Sequence, residues 1–300
     1  MKTFFVLNPV AGSSVGIVDE LKEKFGRVKD AEVRVTTKPG DAENFSREAV
    51  DRGCDLIVAA GGDGTLNAVI NGIGERIRDV AVGLVPLGTG NDFARSLNLP
   101  KDVDESIELL ERRRTRQIDL VRVTSDCARY FVNVSGGGFS GIVDEKLTPE
   151  MKKTWGPLAY LRGAAEALPE LTAYRTEMLL DDSDQIALNL YNVIVANGRY
   201  VAGGIPIAPE AVVDDGLLDI ILIPERPAAQ LALLMGQILL GEHLKNEAIV
   251  FRRAARLAVN SRPGIWFNAD GELVGNEPAL FEVMPGALRF VVGENDVKNC

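Results

Sequence analysis

Residues 61–67 read Gly-Gly-Asp-Gly-Thr-Leu-Asn and follow the apolar run Leu56-Ile57-Val58-Ala59-Ala60. A buried strand is therefore expected to end in two glycines, an acid, a third glycine and a hydroxyl. Apolar residues then recur with helical spacing at Leu66, Val69, Ile70 and Ile73. Glycine lets a backbone come close to a bulky anion, because no Cβ intervenes. The helix N-terminus that follows offers unpaired N–H groups and a partial positive charge. A carboxylate cannot itself take a phosphate, since like charges repel. Asp63 makes sense if a divalent cation sits between it and the phosphates, or if it holds a neighbouring donor in place. The segment predicts nucleotide phosphate binding with Mg2+.

Two further turns have the same character. In Pro86-Leu87-Gly88-Thr89-Gly90-Asn91-Asp92, Thr89 can donate a hydroxyl, and Asn91 and Asp92 are expected to cap the next helix. Asn8–Ser14 adds Ser13 and Ser14 as candidate donors. A single Gly-rich turn is ordinary punctuation, but turns that follow neighbouring parallel strands are brought together by the fold. Near the other end, Trp266-Phe267-Asn268-Ala269-Asp270-Gly271-Glu272 ends a strand in a turn with two acids. Asp-Gly is a frequent hairpin turn, so local sequence alone reads Asp270 and Glu272 as solvated. The acidic stretch Pro209–Asp219 reads locally as a polar turn before a strand. The only histidine, His243, is expected at the surface near a helix end. Its solitude argues against Ser-His-Asp, Cys-His and multi-histidine metal chemistry, leaving carboxylates.

Composition narrows the partners. A net charge of −10 argues against bulk nucleic-acid binding, which needs a basic face. The three cysteines, Cys54, Cys127 and Cys300, are scattered and suggest neither a disulfide framework nor a Cys-rich metal site. A reducing compartment, the cytoplasm, is expected. The N-terminal apolar run meets Asn8-Pro9 too early for a signal peptide. Ala228–Leu240 is too short to span a bilayer, so membrane contact is expected to be peripheral. Lys152-Lys153 before the apolar Trp155–Leu161 stretch is a candidate for touching a membrane surface.

The elements that must position these residues fall into two parts. Over residues 1–125, strand and helix patterns alternate: strands at 3–7, 32–36, 56–60 and 81–86, helices at 15–25 and from Asp41. This βαβ order predicts a doubly wound parallel sheet with ligands at the carboxyl ends of its strands. The three glycine turns and Thr37 would then share one rim. Over residues 126–300, strand-like runs dominate and predict an antiparallel, β-rich sandwich, interrupted by helices near 158–168 and 227–240. The C-terminal end is a candidate to pack back on the first domain.

The pairing of Gly61–Asn67 with Pro86-Leu87-Gly88-Thr89-Gly90-Asn91-Asp92-Phe93-Ala94-Arg95 resembles the diacylglycerol kinase catalytic domain, and most closely the small soluble bacterial lipid kinases of that family. The resemblance covers the whole chain. The first element is shared with sphingosine kinases and NAD kinases; the second is the more specific. The resemblance implies ATP contacts from Asn8, Thr37, Gly61, Gly62, Asp63, Gly64, Thr65, Leu66, Asn67 and Thr89. It implies a Mg2+–phosphate network of Asp63, Asp92 and Asp119. It implies Glu272 as general base, with Asp270 as its partner or the alternative base, acting in the cleft between the domains. It also implies a second, structural Mg2+ or Ca2+ loop held by the Asp215 side chain and the Val212 and Leu217 carbonyls. The expected reaction moves the γ-phosphate of ATP to a lipid hydroxyl at a membrane surface, by default that of diacylglycerol to give phosphatidic acid. Other lipids such as phosphatidylglycerol or a sphingoid base, an NAD kinase activity, and a non-catalytic nucleotide-binding regulator are the competing expectations. The resemblance also allows a homodimer and a peripheral position at the inner face of the membrane. Asn133–Phe139 and Ala196–Gly204 match family segments as well, either lining the acceptor site or permitting tight packing.

Overall fold

A computed structural model describes residues 2–138, 171–276 and 278–293. The chain divides into two compact units, residues 1–120 with 285–300 and residues 121–284.

In the first unit β1 (Thr3–Leu7), β2 (Ala31–Val35), β3 (Leu56–Gly61) and β4 (Ala81–Pro86) run parallel in the order β4-β3-β1-β2. Arg289 and Phe290, near the end of the long strand β15 (Ala279–Val291), pair in parallel with Ala81 and Val82 on the outer edge of β4. β1 and β3 are buried at every position and β4 at all but its first. That is the continuous apolar run of a parallel sheet covered on both faces. The crossovers are α1 (Val18–Gly26), α2 (Asp41–Asp51) and α3 (Asp63–Ile73), and α4 (Asp92–Ser96) and α5 (Val103–Arg112) follow β4. Phe25 of α1 stacks on Phe5 of β1 with centroids 4.7 Å apart, and Phe93 of α4 meets Phe290 edge-on at 5.4 Å. Each such aromatic pair contributes about 1 kcal/mol beyond the area it buries.

α1 starts later than the periodicity predicts. Ser14 Oγ donates to the carbonyls of Asn8 and Ala11, which winds residues 12–14 into a short 3-10 turn and keeps Val15 outside the helix. The register sets Leu7 opposite both Val35 and Ala60, and Gly61 opposite Pro86. The carboxyl ends of the strands are therefore level, and the loops that follow them leave from one rim.

The second unit is antiparallel. Its ladder runs β12 (Arg256–Arg262), β8 (Tyr174–Leu180), β9 (Asp184–Ala196), β7 (Val134–Gly138), β13 (Phe267–Ala269), β14 (Glu272–Gly275). β10 (Leu218–Pro224) also lies along β9, and β11 (Val250–Ala254) along β10. The end of β5 (Thr115–Thr124) pairs with β6 (Ala128–Phe131). Val193 and Val195 of β9, with Ile220 and Leu222 of β10, face one apolar core. Ile194, Ala196 and Ile221 face a second core that includes Leu234 of α6 (Ala228–Leu240). Strands covered on both faces read as unbroken apolar runs, which is why their limits are blurred in the sequence.

Two strand limits differ from expectation for visible reasons. Residues 130–134 read in the sequence as one strand, but the run breaks between β6 and β7, because the backbone N–H groups of Val132, Asn133 and Val134 all turn to the Asp270 carboxylate. The apolar runs 279–283 and 288–292 each read in the sequence as a separate strand, but they form one, β15, whose bend at Gly286 (φ 54°) is held by the Gly286 N–H donating to Asp119 Oδ1 at 2.7 Å. The helix expected near 158–168 and the Lys152-Lys153/Trp155–Leu161 stretch lie outside the described residues.

Candidate functional site

The three glycine turns of the first unit are stitched to one another by backbone. Leu87 N–H donates to Gly61 O and Ser13 N–H to Leu87 O, each at 2.9 Å. Gly62 and Gly88 meet backbone to backbone: a Cβ on Gly88 would lie 2.5 Å from Gly62 Cα and 2.8 Å from Asn91 Oδ1. A Cβ on Gly12, which has φ 30°, would lie 2.5 Å from Leu87 O. Glycine is needed at these positions to let three chain segments approach closely. Asn8 Nδ2 donates to Thr65 Oγ1 at 3.1 Å, and Asn8 Oδ1 accepts the Val10 N–H. Thr65, Leu66 and Asn67 are buried in the first turn of α3. Gly64 and Thr89 are exposed at the rim. The rim thus offers backbone N–H groups at the start of α3 and one free hydroxyl to an anion.

Asp63 ties two of these turns together. Its Oδ2 accepts the Asp92 N–H and its Oδ1 the Phe93 N–H, both at 3.0 Å. It therefore caps α4 from another segment, in place of the local Asn91–Asp92 cap expected from sequence. Asn91 takes a left-handed conformation (φ 50°), and its Nδ2 donates to Gly88 O at 2.6 Å, bracing the second turn from inside. Of the two sequence readings of Asp63, holding a donor in place is the one its hydrogen bonds display. Ser14 is buried, its hydroxyl spent within its own turn, and so is no ligand donor. Thr37 directs both its N–H and its hydroxyl to Asp41 Oδ2 at 2.8 Å. These bonds from Thr37, with that from Lys38, hold the Asp41 carboxyl below its usual pKa range. Neither Asn91 nor Asp41 was marked as a binding-site residue from sequence. Asp92 is buried at the start of α4, and Asp119 is buried on β5, where it braces Gly286.

In the second unit, Asp270 and Gly271 form a two-residue hairpin turn with φ of 50° and 94°. Positive φ at both positions is the signature of a type I′ turn, the turn that matches strand twist. Asp270 Oδ1 accepts from Asn133 N–H at 3.1 Å and Val134 N–H at 3.0 Å, and Oδ2 from Val132 N–H at 3.1 Å. A carboxylate so engaged holds the hairpin against β7 and has little capacity left for a substrate proton. Glu272, two residues on, pairs with Ala269 in the hairpin, is exposed, and its carboxylate makes no hydrogen bond among the described residues. Gly137 is required for packing, since a Cβ there would run into the Phe267 ring.

The acidic turn before β10 holds a cation of its own. Arg253 Nη2 donates to Asp215 Oδ2 at 2.7 Å and Arg253 Nε to Asp219 Oδ1 at 2.6 Å. Asp215 Oδ1 accepts the Leu217 N–H at 3.0 Å. Asp219 is buried, and desolvation pushes its carboxyl up against the pull of Arg253. Both Asp215 oxygens are thus engaged by a guanidinium and an amide, while Val212 stands exposed before the turn. His243 corrects another expectation: it is fully buried, with Nε2 donating to Ile207 O at 2.8 Å, and burial lowers its pKa. An imidazole that satisfies one ring N–H with a carbonyl can join an apolar core.

Among the described residues, no group of three or more His, Cys, Asp or Glu side chains is placed to hold a metal. Asp63, Asp92 and Asp119 therefore do not form a ready-made cage. Mg2+ commonly takes one or two carboxylates and completes its shell with phosphate oxygens and water. Asp63 and Asp92, at the starts of α3 and α4 beside the glycine turns, fit an ion shared in that way.

Two family models match the chain: the diacylglycerol kinase catalytic domain over residues 2–123, and the YegS C-terminal NAD kinase beta sandwich-like domain over residues 133–292. A protein of Stenotrophomonas maltophilia named "Probable lipid kinase YegS-like" is 35% identical over 293 residues, 93% of each chain. A diacylglycerol kinase of Staphylococcus saprophyticus is 33% identical over 265 residues, 88% of this chain and 85% of that one. The crystal structure of a diacylglycerol kinase from Bacillus anthracis superposes with a TM-score of 0.79 at 22% identity, covering 98% of both chains. With these matches over both units, the chain belongs to the diacylglycerol kinase family of lipid kinases.

Proposed function

We propose that this chain transfers the γ-phosphate of ATP to the hydroxyl of a membrane lipid, with diacylglycerol as acceptor and phosphatidic acid as product. The observation that carries the reading is the mutual locking of the three glycine turns, with Asp63 holding α4 against α3. Backbone N–H groups on that rim would cradle the nucleotide phosphates, Thr89 would add a hydroxyl, and Asn8 and Thr37 would border the nucleotide. Phosphoryl transfer needs positioning and charge neutralisation more than covalent help. Mg2+ bound with the nucleotide would neutralise charge on the phosphates, held on the protein side by Asp63 and Asp92. Glu272 would accept the proton of the lipid hydroxyl as its oxygen bonds to the γ-phosphorus. The bond from that phosphorus to the bridging oxygen breaks, and ADP leaves. Asp270 is a positioning residue in this scheme. The acceptor being a membrane lipid, the enzyme would work peripherally; among the described residues, no helix is long and apolar enough to cross a membrane.

The test is transfer of labelled γ-phosphate to mixed micelles of diacylglycerol, phosphatidylglycerol or a sphingoid base, with NAD as a water-soluble acceptor. Label in phosphatidic acid, reduced about 10²- to 10⁴-fold by Glu272→Gln, is the expected result. No label in any lipid, or label in NADP alone, overturns the reading.

A further inference from the structure

We infer that the β13–β14 hairpin, with the adjoining ends of β8 and β12, is the surface by which this chain docks on an anionic lipid bilayer. The inference rests on the lipid kinase reading for its choice of occupant. Phe267 and Ala269 of β13 point into the core, so Trp266 and Asn268 face outward. Leu273 pairs with Asn268 across the hairpin and shares that face. Trp266 is 53% exposed and Leu273 68%, and both stand on the hairpin that carries Glu272. Large apolar side chains left in water need an explanation when they cluster. Tryptophan, apolar in body with one polar N–H, favours the headgroup level of a membrane.

The charge nearest along the chain has the matching sign. The connection from Arg262 to Trp266 is short and is closed by the Ile265 N–H donating to Ser261 Oγ at 2.9 Å. Arg262 lies directly opposite Arg175 in the β12–β8 register, and both are exposed. Like charges facing across a ladder are unfavourable. Neither arginine makes an ion pair with a carboxylate among the described residues, although Glu177 is two residues along β8. In a chain of net charge −10, two guanidiniums without an ion-paired carboxylate among the described residues, one of them a short connection away from the exposed tryptophan, suit an anionic headgroup layer even with Glu272 on the hairpin and Asp126 against β14. Seating that surface on the bilayer would bring Glu272 to the depth of lipid hydroxyls.

Trp155 and Trp266 are the only tryptophans, so Trp155→Phe leaves Trp266 as the sole reporter. On adding vesicles of equimolar phosphatidylcholine and phosphatidylglycerol, its emission should shift to the blue, and pure phosphatidylcholine should shift it less. In co-sedimentation with the mixed vesicles, binding should weaken about fivefold for each arginine removed in Arg175→Gln and Arg262→Gln. It should weaken about tenfold or more in Trp266→Ser with Leu273→Ser. Wild-type binding without these dependences, no binding at all, or no emission shift overturns the inference. So does conversion of a dimer to monomers by these variants with vesicle binding unchanged, which would make the surface a contact between copies. If a variant fails to fold, the Trp266 emission decides. Glu272→Gln should lose transfer and keep vesicle binding. Vesicle binding that obeys these variants without transfer to any lipid sinks the kinase reading alone. Transfer to micellar lipid with surface-insensitive binding sinks this inference alone.

Discussion

Asp63, Asp270 and Asp41 look alike in the sequence, as acids beside glycine turns, and in the structure each spends its carboxylate on backbone N–H groups. Their positions near the rim and the hairpin were legible. Their partners were not, because a backbone donor from a distant segment leaves no residue-type signature. Asp63→Ala should lower stability by about 2 kcal/mol in urea melts and abolish transfer, since the two orphaned N–H groups release α4. Asp270→Ala should cost about 3 kcal/mol by the same measure, whereas Glu272→Gln should leave the melt where it was and remove turnover. That contrast separates a residue that holds the site from one that reacts in it. His243 makes a pH prediction. Burial depresses its pKa below the ordinary 6.5, so below about pH 6.5 the unfolded chain takes a proton that the folded chain refuses. Stability from this group is complete above 6.5 and is lost as pH falls toward the folded value. Thermal melts should show a flatter acid slope for His243→Gln than for the wild type, at a lower overall melting temperature.

At the scale of elements, the parallel strands were readable because burial on both faces writes continuous apolar runs, and their glycine-rich ends stood out against them. The second unit was less so: α6 covers the outer face of β9 and β10 and erases the alternation that marks strand limits. Glycines are the elements' contact points. Gly88→Ala would drive a methyl into Gly62 and Asn91, parting two turns by a fraction of an ångström or more. Transfer is expected to fall about 10²-fold, the cost of misplacing a reacting group by roughly that much, and ATP titration should show weaker binding. The turn before β10 offers the opposite kind of test. With Arg253 seated between Asp215 and Asp219, wild-type melting should be indifferent to EDTA and to added Ca2+ or Mg2+. Arg253→Met strips a partly exposed partner from a buried carboxylate, a loss of about 2 kcal/mol after discounting for solvent. Part of it should return with Ca2+ in the variant alone.

On the scale of the whole molecule, the order of residues in the chain is not the order of the units. The βαβ pattern announced a first domain that runs to about residue 125. The C-terminal end was a candidate to pack back on that domain, but nothing in residues 285–291 marks which strand they join, since pairing between distant segments has no local pattern. Yet Arg289 and Phe290 pair with β4, and Phe290 packs on Phe93 beside the second glycine turn. A chain stopped after Met284 should expose the β4 edge and self-associate, measurable as large species in sedimentation. The same strand has a consequence for birth rather than for stability. A domain made of one early stretch can close while the ribosome is still working. Here the parallel sheet of the first unit waits for Arg289 and Phe290, made long after β4, so the growing chain carries an open parallel edge through the synthesis of the whole second unit, and that interval is when it would most need a chaperone.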